Sequence, residues 1–189
     1  MTTNSLNLCV FCSSSPDVDE RYMALARDLG DLVAQRRWRL IYGGGRRGLM
    51  GAAADAALEA GAEVEGVIPQ HLVDREVAHQ GLTRLHITET MQQRQFKMSQ
   101  LADAFVVLPG GLGTLAEFFE IVTWKQIALH NKPIALLNFE GFWDPLIAMI
   151  EQAQDQKFLH GARGDLFQIV ETLKDLPDIF EKKTMWIGS

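Results

Sequence analysis

Residues 104–137 read AFVVLPGGLGTLAEFFEIVTWKQIALHNKPIALL. Ala104 to Leu108 is an uninterrupted apolar run, the mark of a strand covered on both faces of a parallel sheet. Pro109 to Gly113 interrupts it with glycines, and Thr114 to Leu129 continues without a glycine or proline, as a helix would. Pro133 to Leu137 is a second apolar strand. Strand, glycine turn, helix and strand make a βαβ unit, and the same order recurs on either side of it. Upstream, Leu6 to Cys12 is a strand closed by Ser13, Ser14 and Ser15. Asp17 to Arg36 has helical spacing, with Tyr22, Leu25, Ala26, Leu29 and Val33 on one face. Arg39 to Tyr42 is a strand ended by Gly43, Gly44 and Gly45, and Leu49 to Ala60 is an alanine-rich helix stopped by Gly61. Ala62 to Ile68 is a strand, Gln70 to Gly81 a polar connection, Thr83 to Ile87 a strand and Glu89 to Leu101 a helix. Downstream, Phe142 to Gln154 reads as a helix, Leu166 to Val170 as a strand, and a short helix follows. No linker or repeat divides the chain. The pattern predicts an α/β fold: a doubly wound, Rossmann-like parallel sheet in three α/β/α layers, as a single domain over residues 1–189. Ligands of such sheets bind beyond the carboxyl ends of the strands. Three of those ends carry small, turn-forming residues: Ser13 to Ser15, Gly43 to Gly45, and Pro109 to Gly113.

Composition narrows the partners. Hydrophobic residues make up 47% and charged residues 22%, the mix of an ordinary globular protein, and the net charge of −6 argues against a general nucleic-acid binder. No apolar run approaches the ~18–20 residues that span a bilayer, and the first residues do not read as a secretory signal, so a cytoplasmic protein without membrane partners is expected. Cys9 and Cys12 form a C-x-x-C, but they sit in an apolar strand with no second Cys or Cys/His pair to complete a zinc set. The five histidines are scattered. Neither a metal nor another cofactor is expected.

Gly43-Gly44-Gly45-Arg46-Arg47-Gly48 formally matches G-x-G-x-x-G. Glycines there let amide N–H groups approach an anion at a helix start. Three features count against a dinucleotide. The turn follows the second strand rather than the first. Glu63 and Glu65 lie at the start and middle of the next strand, where a ribose-binding acid belongs at its end. Arg46 and Arg47 suit a terminal phosphate. The plain alternative is a tight connection with solvated arginines. The second turn is more informative. Gly110, Gly111 and Gly113, with Thr114 at the helix start, form a nest of donors, and Glu117 lies one helical turn beyond. A carboxylate beside an anion site opposes binding, so its presence suggests chemistry in which a cation develops. No lysine follows the glycines as a triphosphate-binding loop requires.

These residues carry a resemblance. PGGLGTLAE, with ADAFVVL before it and FFEIVTWKQIALHNKPIALLN after it, together with GGGRRGLMG and Met91-Gln92-Gln93-Arg94, is similar to the Lonely Guy family of cytokinin-activating enzymes, from about Leu8 to Pro145. Many members bear the label lysine decarboxylase, yet nothing in this sequence marks a pyridoxal-phosphate lysine. The resemblance implies a phosphoribohydrolase that cleaves the N-glycosidic bond of N6-modified adenosine 5′-monophosphates, or of AMP, to free base and ribose 5-phosphate. It implies Arg94 and Glu117 as the catalytic pair, Gly110, Gly111, Gly113 and Thr114 as the phosphate nest, and Glu76 and Thr123 as further substrate contacts. Gly44, Gly45 and Ser13 join them from the other strand ends, and Met91 with the Glu76 loop would shape the base pocket. Two positions depart from the family pattern. Its Arg-Lys pair reads Arg94-Gln95, which bears on phosphate or base affinity, and its Leu-Glu-Glu reads Leu115-Ala116-Glu117. Lys97 is a substitute too far round the helix to assume.

Two other readings stand beside this one: a general purine nucleotide hydrolase such as an AMP nucleosidase, and a non-catalytic nucleotide sensor. The apolar residues Phe118, Phe119, Ile121, Val122, Trp124 and Ile127 occupy more than one side of their helix, so a homodimer is expected.

Overall fold

The computed structural model describes residues 5–75, 78–159 and 162–184, with side chains through residue 181. Its centre is β1 (Asn7–Phe11), a strand apolar at nearly every position. Leu8, Val10 and Cys12 turn to one face and Cys9 and Phe11 to the other, and each set joins a separate hydrophobic cluster. The period-two alternation of a strand therefore feeds two cores, which only a sheet covered on both sides allows.

From β1 the chain winds outward in one direction. Helix α1 (Glu20–Gln35) leads to β2 (Arg39–Tyr42), α2 (Gly48–Glu59) to β3 (Val64–Pro69), and the short α3 (Gln70–Val73) precedes β4 (Arg84–Thr88). Helix α4 (Met91–Leu101) carries the chain back across the sheet to β5 (Ala104–Val107), on the other side of β1. From there α5 (Leu112–Gln126), β6 (Ile134–Leu137), α6 (Asp144–Asp155), α7 (Arg163–Leu166), β7 (Gln168–Val170) and α8 (Leu176–Thr184) continue outward. All seven strands are parallel, in the order β4-β3-β2-β1-β5-β6-β7. The expected doubly wound sheet is present, and its winding reverses between β1 and β5. Helices α1, α2 and α8 cover one face; α4, α5, α6 and α7 cover the other.

Several boundaries differ from the sequence expectation, each for a local reason. The first helix starts at Glu20, not Asp17, because the Asp19 side chain accepts the Arg21 N–H and caps it there. The polar connection after β3 contains one helical turn, α3. The last strand is shorter than Leu166 to Val170: Leu166 ends α7 with its side chain buried, and pairing with β6 covers Gln168–Val170. Helix α5 begins at Leu112, so Thr114 is its third residue rather than its first.

The alanines of α2 serve a close helix contact. A Cβ on Gly30 of α1 would lie 2.5 Å from the Ala53 carbonyl oxygen and 2.8 Å from the Ala56 Cβ and the Ala57 nitrogen. Alanine is the better helix former by about 1 kcal/mol, but these obstacles are mostly backbone and cannot swing aside. Gly30→Ala is therefore expected to destabilise the protein by about 1–3 kcal/mol. A thermal melt checks this; an unchanged or higher midpoint would mean that α1 and α2 can separate freely.

Candidate active site

A cavity of about 520 Å³ opens at the point where the winding reverses, lined from the carboxyl ends of β1, β2, β3 and β5. Its position follows from topology. β1 and β5 are neighbours, but their chains depart to opposite faces, leaving a crevice between Ser13 and Pro109, whose main chains still meet through a Ser13 N–H to Pro109 carbonyl bond of 3.3 Å. On one side of the crevice is the start of α5. Gly111 is its N-cap and no side chain caps the free N–H groups there; the first intrahelical bond runs from Leu115 N–H to the Gly111 carbonyl at 3.0 Å. Uncapped amides at a helix start carry partial positive charge and suit an anion. Gly111, Gly113 and Thr114 line the cavity beside them. Facing them, Gly45, Arg46 and Arg47 come from the turn after β2, with both arginines exposed at the rim.

Deeper in, Arg94 and Glu117 form an ion pair with Nη1 to Oε1 at 3.0 Å, and both residues are more than nine-tenths buried. The packing explains how they meet. Helix α4 lies on β1, β2 and β3 and sends Arg94 toward the strand ends, where its Nε donates to the Val67 carbonyl at 3.1 Å. Helix α5 brings Glu117 from one turn beyond the open amides. Burial pushes the Glu117 carboxyl above the ordinary carboxylate range, and the Arg94 guanidinium pulls it the other way. A buried ion pair adds little net stability over apolar packing, so folding alone is a weak reason for one beside open amides.

Gly43 makes room for this guanidinium: a Cβ there would lie 1.9 Å from Arg94 Nη2. The obstacle is the end of a flexible side chain, so Gly43→Ala should leave the melting temperature within a few degrees while displacing Arg94. Misplacing a catalytic group by about 1 Å costs about 10²-fold, and kcat/KM is expected to fall by about that factor. Unchanged kinetics would show that Arg94 tolerates the shift.

The other predicted residues divide. Ser13 and Gly45 line the cavity. Gly110 does not; it turns its Cα toward Thr114, and a Cβ would lie 2.1 Å from Thr114 Oγ1. Gly44 does not line it either; it has a left-handed φ of 74° and its Cα lies against Gly66 of β3. The structure does not bring Met91 or Thr123 to this cavity: both are exposed, at the start of α4 and late in α5. Glu76 lies outside the described residues. The departures from the family pattern also find their places. Gln95 is buried between α4 and α5, its Nε2 3.5 Å from the Glu117 carbonyl, and does not line the cavity. Ala116 is exposed, and Lys97 lines a separate cleft beside β4. Cys9 and Cys12 are free and buried, with their thiols pushed up by burial and then by the Glu117 carboxylate, which makes them poor nucleophiles.

Sequence reading missed Met50, Ile68 and Leu72, which form an apolar wall of the cavity. Ile68 stands near the carboxyl end of β3, so the rule that located the glycine turns could have found it. Leu72 arrives on α3, a single helical turn too short to show a periodic pattern.

Fold and cavity together define the class: a Rossmann-like α/β protein with an uncapped helix start at the reversal point of its sheet and a buried acid–guanidinium pair beside it. A family model described as "Possible lysine decarboxylase" matches residues 50–180. A cytokinin riboside 5′-monophosphate phosphoribohydrolase of Rhodococcoides fascians is 46% identical, covering 81% of this chain and 78% of that one. The Arabidopsis thaliana protein of the same name, LOG2, is 36% identical, covering 95% and 89%. The chain belongs to this Lonely Guy family. Among solved structures, a molybdenum cofactor binding protein of Rippkaea orientalis superposes with a TM-score of 0.74 at 18% identity, covering 97% and 99% of the two chains, a likeness of fold alone. The decarboxylase description does not fit the site. Lysine decarboxylation on pyridoxal phosphate needs a lysine amine to hold the cofactor, and among the described residues no lysine lines the cavity.

Proposed function

We propose that this chain hydrolyses the N-glycosidic bond of nucleoside 5′-monophosphates, with N6-modified adenosine (cytokinin riboside) monophosphates as its preferred class, releasing the free base and ribose 5-phosphate. The observation that carries the reading is the buried Arg94–Glu117 pair facing one cavity with the uncapped start of α5. The phosphate sits on the amides of Gly111, Leu112, Gly113 and Thr114, with Arg46 or Arg47 closing over it. The ribose then reaches toward Glu117. As the C1′–N9 bond breaks, positive charge builds on the sugar ring, and the ionised Glu117 stabilises it. Water forms the new C1′–O bond and gives its proton to Glu117. The base leaves with the bonding electron pair and takes up a proton through a water held by Arg94, whose guanidinium stays charged throughout and is no direct acid. The apolar wall of Met50, Ile68 and Leu72 suits a substituted adenine better than a second charged group.

Incubation with AMP and with isopentenyladenosine monophosphate, followed by chromatography for free base, tests this directly. Base released faster from the modified nucleotide supports the full reading, and base from AMP alone supports the general purine nucleotide hydrolase. Tight binding without release would favour a sensor, which the buried carboxylate opposes.

A homodimer belongs to the same reading. Phe118 and Ile121 of α5 are in the core, but Phe119, Ile127 and Leu129 are exposed, and Phe96 of α4 is 56% exposed near Trp124. This apolar surface is suited to a second copy of the chain; a monomer by light scattering at micromolar concentration would refute it. Among the described residues no helix is long and apolar enough to cross a membrane, which is compatible with a cytoplasmic enzyme. No partner beyond the nucleotide and the second copy is needed.

A further inference from the structure

The turn from Gly43 to Arg47 has its ends fixed by β2 and α2, and its middle is held by residues from the connection that precedes β4. The His79 N–H donates to the Gly44 carbonyl at 2.9 Å, and Ala78 forms an antiparallel bridge with Gly45. The His79 ring is also engaged on both nitrogens. Nδ1 accepts the Gly81 N–H at 3.0 Å, which leaves the ring proton on Nε2, and Nε2 lies 2.8 Å from Asp55 Oδ1. Asp55 belongs to α2, the helix that this glycine turn opens. The ring is 11% exposed, whereas the Asp55 side chain is 60% exposed. One residue thus joins three parts of the fold: by its backbone to the turn, by Nδ1 to its own loop and by Nε2 to the helix beyond.

We propose that His79 is a positioning residue for nucleotide binding, one that fixes the Gly44–Arg46 side of the cavity through its pairing with Asp55 and touches no substrate itself. The proposal rests on the nucleotide reading above. A glycine turn has many backbone states, and Gly44 is already in the left-handed region. Ordering such a turn when ligand arrives would weaken binding, and a turn held beforehand avoids that loss. The catalytic pair is anchored elsewhere, on the Val67 carbonyl and on α5. Loss of the His79–Asp55 link should therefore be felt in binding and far less in the chemical step. The same link fixes the chain three residues beyond Glu76, the position that the family resemblance marks as a substrate contact.

The test uses the full chain with His79→Asn, Asp55→Ala and both together. Asparagine can still accept the Gly81 N–H in a local turn, so the first variant removes only the reach to Asp55, and the second changes an exposed side chain with little risk to folding. Each single variant is expected to raise KM by about tenfold while kcat stays within about threefold. The double variant should be no worse than either single one, because the two residues act as one unit. Amide hydrogen exchange at residues 43–47 and 78–81, measured without ligand, should quicken by about tenfold in both single variants. Unchanged KM, additive losses in the double variant, a fall in kcat at constant KM, or unchanged exchange would each overturn the proposal. Failure of the nucleotide reading would show differently, as a wild-type chain that releases no base. The exchange measurement then still decides whether His79 and Asp55 hold the turn.

Discussion

Glu117→Gln is expected to lower kcat for base release by about 10³-fold or more, while nucleotide binding changes by less than about tenfold. The substitution keeps size and one hydrogen-bond acceptor for Arg94, so the buried site should hold its shape. It removes the negative charge that the oxocarbenium-like transition state requires, and the base that takes the proton from water. The free nucleotide carries no such cation, which is why ground-state binding should be nearly indifferent or even improve once the carboxylate no longer faces the phosphate. Steady-state kinetics together with calorimetric binding separates the two effects. Near-normal turnover in this variant would remove Glu117 from the mechanism.

Arg94→Ala should lower kcat/KM by about 10²–10³-fold, affecting both binding and turnover. Its sharper signature is in the pH profile. Glu117 must be ionised to act, and burial already raises its carboxyl from the ordinary range while Arg94 opposes the rise. The rate should therefore fall as pH drops through a value above that of an ordinary glutamate. Removing the guanidinium removes the opposing influence, so this acidic limb should move to higher pH in Arg94→Ala. Arg94→Lys, which keeps a positive charge, should move it less. A limb that stays in place, or moves to lower pH, would mean that the titration belongs to a group other than Glu117.

The sheet was legible because its strands are buried on both faces. Runs such as Ala104–Val107 and Ile134–Leu137 need no pairing information to be recognised, and the alternation with helices then leaves few topologies. The glycine turns were legible for the same reason that they function: few residues other than glycine suit a backbone that turns tightly beside an anion. Roles within the turns were less so. What surrounds each glycine was not legible: Gly110 packs its Cα against Thr114 and Gly44 against Gly66 of β3, a contact made across the sheet. Thr123 and Met91 are exposed and do not line the cavity; spacing along the sequence does not say where α4 and α5 lie on the sheet. Gln95 illustrates the same limit. Its place in the family pattern points to ligand affinity, whereas its amide donates to the backbone of α5, out of the cavity. The pairing of His79 with Asp55 links residues in a polar connection and on a helix surface, neither of which carries a motif.

The most direct measurement is a crystal structure of Glu117→Gln with AMP or isopentenyladenosine monophosphate bound. The phosphate oxygens should lie about 3 Å from the main-chain nitrogens at the start of α5, with C1′ of the ribose against the side chain at position 117 and the guanidinium of Arg94. A nucleotide whose phosphate occupies another part of the molecule, or whose C1′ lies beyond reach of both side chains, would contradict the assignment of this cavity as the place where the glycosidic bond is cut.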